Sequence, residues 1–142
     1  DHSAMHGGHG HHAGMHQSEP DKRQAVKFPA PMREHTLARM RDHLAALAQI
    51  QRELAAGQFD AAADTAERRL GMSALTVHGA EQSAPFMPPG MREAGTAMHR
   101  AASRFAVLAR DASVTARLDK AVGALAEISG ACVACHAGYR LE

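Results

Sequence analysis

At 142 residues the chain is long enough to enclose one core and too short for several domains of ordinary size. Sixteen Lys and Arg stand against fifteen Asp and Glu, a net charge of +1, which excludes the basic footprint expected of a nucleic-acid binder. Aromatic residues are only 4% and Trp is absent, so a buried cofactor could fill core volume that bulky side chains do not.

The first 31 residues form one compositional block, rich in His, Gly, Met and Ser and then in Pro. Nothing in it has helical or strand period, so residues 1–31 read as a flexible tail and linker. Within it His2, Met5, His6, His9, His11, His12, Met15 and His16 are separated by small residues. Imidazole suits Cu(II), zinc and nickel, and thioethers add affinity for Cu(I); the mixture makes copper the expected ion. The chain begins at Asp1, as a mature protein would after removal of its leader.

From Met32 onward the composition turns alanine-rich with helical spacing, giving a second region over residues 32–142. A first helix over about 32–56 carries Leu37, Met40, Leu44, Leu47 and Leu54 on an inward stripe and ends at Gly57. A second opens near Phe59, with Asp60 as its cap, and runs its apolar line through Ala63, Ala66, Leu70, Ala74 and Val77. Residues 79–90, with three prolines, read as one long loop. A third helix over about 91–110 presents Met91, Met98, Ala102, Phe105 and Ala109. A fourth, capped by Asp111 or Ser113, presents Leu118, Leu125, Ile128 and Cys132. No strand period appears, so the fold class is all-α, most readily an antiparallel four-helix bundle. No run of about 18 apolar residues occurs, and no membrane span is expected.

The two cysteines stand in Cys132-Val133-Ala134-Cys135-His136. Cys-x-x-Cys-His is the attachment signal for c-type haem. Two thiols one helical turn apart can each bond the same porphyrin, which holds the adjacent imidazole beneath the iron as an axial ligand. A structural zinc site would need a second ligand pair, and a thioredoxin-like redox pair would need a βαβ setting. Neither is present in the sequence.

With its motif at the end of the last helix and continued as "CVACHAGYR", the region over residues 32–142 resembles the class II c-type cytochromes, the cytochrome c′ family. The resemblance implies one covalent haem c on Cys132 and Cys135, with His136 as proximal ligand, Arg140 close to that histidine and Tyr139 near the ring. It also implies a periplasmic location, redox partner proteins and a homodimer of bundles. In the family the opposite haem face meets the first helix, where a methionine gives a low-spin electron carrier. An apolar residue there leaves a site open to nitric oxide or carbon monoxide.

Met40 is the leading candidate for that position, because it shares the stripe of Leu37 and Leu44, which would then adjoin the haem. His43 and His35 stand beside the stripe as alternatives, and core packing alone would also account for a methionine there. His78, Met72, Met87 and Met91 gather around the long loop as a candidate second metal site. No acid–base or nucleophile pattern of an enzyme stands out. The expectation is a one-electron carrier with a copper-binding tail; the alternative is a gas-binding protein with an open distal site.

Overall fold

The structure, a computed structural model, describes residues 18–142, so the His/Met run of the tail lies outside the described residues. The described chain is mostly helical. Its elements are β1 (Gln24–Val26), α1 (Ala30–Ala55), α2 (Phe59–Arg69), α3 (Ala74–Val77), α4 (Ala80–Ser83), α5 (Pro89–Thr115), α6 (Leu118–Gly138) and β2 (Tyr139–Leu141).

Local chemistry explains the ends of these helices. Proline stands in the first turn of α1 and of α5, where its missing N–H costs nothing. Gly57, at φ +71°, closes α1: its N–H donates to the Leu54 carbonyl, and the Gln58 N–H donates to that of Glu53. At the end of α5 the same left-handed position falls to Ala116, at φ 56°, which carries a Cβ penalty that glycine would avoid. Asp60 lies inside the first turn of α2 rather than capping it, and there its charge complements the helix dipole.

Close packing runs from α1 to α2, from α2 to α5 and from α5 to α6. Phe105, Ile50, Leu70 and Ile128 are the largest fully buried side chains. Between them the contact surfaces are alanine, including Ala62, Ala66, Ala102, Ala109 and Ala121, all with no exposed area. Such small residues let helix axes approach at the short end of the usual range. α6 is long and apolar enough, at mean hydropathy 1.3, to pass a membrane-span test, though Ala121, Ala124, Leu125 and Ile128 on one face are buried.

Several expectations from the sequence need correction. The buried face of α1 is Thr36, His43, Ala46, Ile50 and Leu54, whereas Leu44 is 69% exposed and adjoins no cavity. Ile50 and Leu54 keep the inward line at the C-terminal half of α1, whereas the surfaces it meets nearer its start also accept small and polar residues, so size alone does not mark the inside there. The second helix stops at Arg69, and Val77 at the end of the predicted stripe is 82% exposed. The predicted loop holds α4 and a 3₁₀ turn over Ala84–Phe86. Asp111 and Ser113 lie within α5 rather than capping a fourth helix.

The linker reading of residues 1–31 also changes at its C-terminal part. β1 pairs with β2 in parallel, Ala25 opposite Arg140, and the Glu142 N–H donates to the Val26 carbonyl. Val26 and Phe28 are buried. Residues 24–28 therefore belong to the folded body and are fastened to its last strand.

Candidate haem-type site

The final turns of α6 carry Cys132, Cys135 and His136. Cys132 packs against the hydrophobic core, and Cys135 and His136 reach the wall of a cavity of about 270 Å³. Both cysteines are free and half-buried, and burial pushes both thiols above the ordinary cysteine range. That is the reverse of a redox-active pair, whose thiols are held low by nearby positive charge. His136 is exposed at the mouth, and its carbonyl accepts a hydrogen bond from Arg23 Nη1 at 3.3 Å.

Across the cavity stands α1, which contributes Arg33, Thr36, Leu37 and Met40. Met87 and Met91, from the approach to α5 and its first turn, line a third side. Tyr139 and Arg140 of β2 complete it, and the Tyr139 hydroxyl packs so closely over Gly90 that no side chain fits there. The sequence candidates Cys135, His136, Met40, Leu37, Tyr139 and Arg140 are thus brought to one place. So are Met87 and Met91, which had been grouped with His78 and Met72.

Charge is concentrated at the rim. Arg23, Arg33 and Arg140 all line the cavity, and among the described residues no carboxylate does. Arg140 Nε is buried without a hydrogen-bond partner, its nearest carboxylate oxygen being Asp21 Oδ2 at 3.8 Å. Asp21 is already engaged by Arg23, whose Nη2 is 2.7 Å from Oδ2, and the hydrogen bonds from Arg23 hold its carboxyl down at about 2. The Arg140 guanidinium therefore has spare capacity for an anion.

The alternatives to Met40 are placed elsewhere. His35 is exposed, with Nε2 3.4 Å from the His78 carbonyl oxygen. His43 is buried behind Met40, in a second cavity of about 220 Å³ that shares Thr36, Met40 and Met87 with the first. It lies against His78 and His99. Met72 is 38% exposed after α2, its N–H donating to Ser103 Oγ at 2.9 Å, and lines neither of these cavities. The grouping of His43 with His99 was missed because the two are on different helices, and no spacing rule connects them. No family model matches the chain, and no curated protein or solved structure matches it.

Proposed function

We propose that the chain is a periplasmic c-type cytochrome of the class II kind, a four-helix bundle carrying one electron on a single haem c. The observation that carries this reading is one cavity with Met40 of α1 on one wall and Cys135-His136 of α6 on another. The donor set suits the group. Cys132 and Cys135 one turn apart, the His136 imidazole and the Met40 thioether are the side-chain types that would hold a haem and its iron. The rim arginines, with Arg140 Nε unpaired, answer to carboxylates on the porphyrin periphery. When bound, haem would supply a one-electron couple whose potential a thioether ligand raises.

Under this reading Cys132 and Cys135 would hold the haem covalently, and His136 and Met40 would ligate its iron. Leu37 and the methionines exclude water from the ring. Tyr139 covers one edge, against Gly90. The arm with His2, Met5, His6, His9, His11, His12, Met15 and His16 collects copper and brings it to the same protein. A second reading, an open distal site for nitric oxide, is favoured by Leu37 and Thr36, which share Met40's wall.

One spectrum separates the two. The purified full chain is expected to carry the mass of one covalent haem and to show low-spin iron with the near-infrared methionine–iron band. Met40→Ala should convert it to high-spin iron that shifts with carbon monoxide. A parent protein already high-spin selects the second reading, and a colourless protein removes both.

A further inference from the structure

Three imidazoles that the haem reading leaves unused meet beneath the turn between α3 and α4. His43 comes from α1, His78 ends α3 and His99 comes from α5. The ring centre of His43 is 5.6 Å from that of His78 and 5.9 Å from that of His99. His43 and His99 are 7% and 5% exposed. Burying a polar nitrogen without a partner is unfavourable, and the cluster contains two such atoms, His43 Nε2 and His78 Nδ1. His99 is different: its Nδ1 lies 2.6 Å from the Leu70 carbonyl oxygen and donates to it, which leaves Nε2 as a bare lone pair. A backbone carbonyl orients many metal-binding histidines in this way.

We infer that His43, His78 and His99 form a buried binding site for a single Cu(I) ion. Imidazoles sharing one ion at metal–nitrogen distances of about 2.0–2.1 Å have ring centres roughly 5–5.5 Å apart. Among the described residues no three such side chains are already closed around one point. The two His43 pairs, at 5.6 and 5.9 Å, lie just beyond that spacing, and the three rings would have to close around the ion.

The surroundings select the ion. Among the described residues no Asp or Glu lines the adjoining cavity, whereas Arg39 and Arg92 do, and Arg39 Nη1 donates to the His78 carbonyl. The nearby Asp42 is taken up by Arg69. A fixed positive charge beside the site weighs against a dication. Neutral imidazoles, with the thioether of buried Met98 on the same cavity wall, suit monovalent copper. The inference does not depend on the haem reading, since none of the three rings lines the first cavity.

Thermal unfolding of the full chain tests it, with Cu(I) supplied anaerobically from a chelator-buffered solution. An ion that ties α1, α3 and α5 together should raise Tm by about 5 °C or more when in large excess over its Kd. His78→Gln, in a half-buried turn, and His43→Gln should each reduce that shift to less than about one degree, by the same linkage. Both variants keep the His/Met tail, so copper on the tail cancels from the comparison. An absent shift in the parent, or an undiminished shift in both variants, overturns the site. An equal shift with Zn(II) alone overturns its assignment to monovalent copper.

Discussion

The two ends of the molecule are built on opposite principles. One end holds the turns after α1 and after α5, and between them the side chains are apolar, small and dry: Ile50, Leu54, Phe105, Ala109, Ala112 and Ala121. The other end holds both cavities, four methionines on their walls, a cluster of imidazoles and arginines with unpaired nitrogens. Close packing against alanine leaves no room for chemistry. Cavities and orphaned polar atoms cost stability, and the chain gathers them where ligands could offset the cost. Stability and reactivity are thus separated along the length of α1, α5 and α6.

That separation can be broken at either end. The largest effect is expected at the reactive end. Replacing both Cys132 and Cys135 by Ala should abolish covalent haem, read as the loss of its mass and absorbance, while far-ultraviolet circular dichroism still reports helix. At the dry end Phe105→Ala should cost about 3–5 kcal/mol in denaturant titration, because the surrounding alanines cannot close over the void.

Acid should act selectively on the reactive end. His43 is held down at about 4, chiefly by burial and then by His99 and His78. Its folded-state value is below the ordinary one, so the unfolded chain binds the extra proton first. In the metal-free protein stability should therefore fall as pH drops from about 6.5 towards 4, by on the order of 3 kcal/mol. His43→Leu should flatten that part of the profile. The smallest effect belongs to the dry end again. Ala116→Gly removes the Cβ from a left-handed residue and should raise stability by about 1 kcal/mol or less.

Much of the helical frame could be read in advance. The start of α1 and the glycine that closes it, together with the buried line Met98, Ala102, Phe105 and Ala109 of α5, follow from helical period and turn chemistry. The thiol pair and its histidine were legible because their chemistry depends on local spacing alone. Inward orientation on α1 was not. Leu37 and Met40 do reach the cavity, but Leu44 of the same stripe turns outward while Thr36 and His43 are buried. Hydrophobicity ranks side chains by size, and a helix against alanine needs fit more than size. The imidazole cluster was hidden for a different reason, since its members are tens of residues apart and meet only through tertiary packing. The ribbon of β1 and β2 was hidden by brevity, since three residues are too few to display a period.

That ribbon has a consequence for the histidine-rich arm. Gln24 is paired with Tyr139, and Arg23 bonds the carbonyl of His136, so the root of the arm is moored beside the haem motif. Six residues lie between His16 and Arg23, and the seven steps from one to the other span at most about 25 Å. An ion bound at His16 would be leashed inside that radius, its local abundance set by the tether instead of by the surrounding fluid.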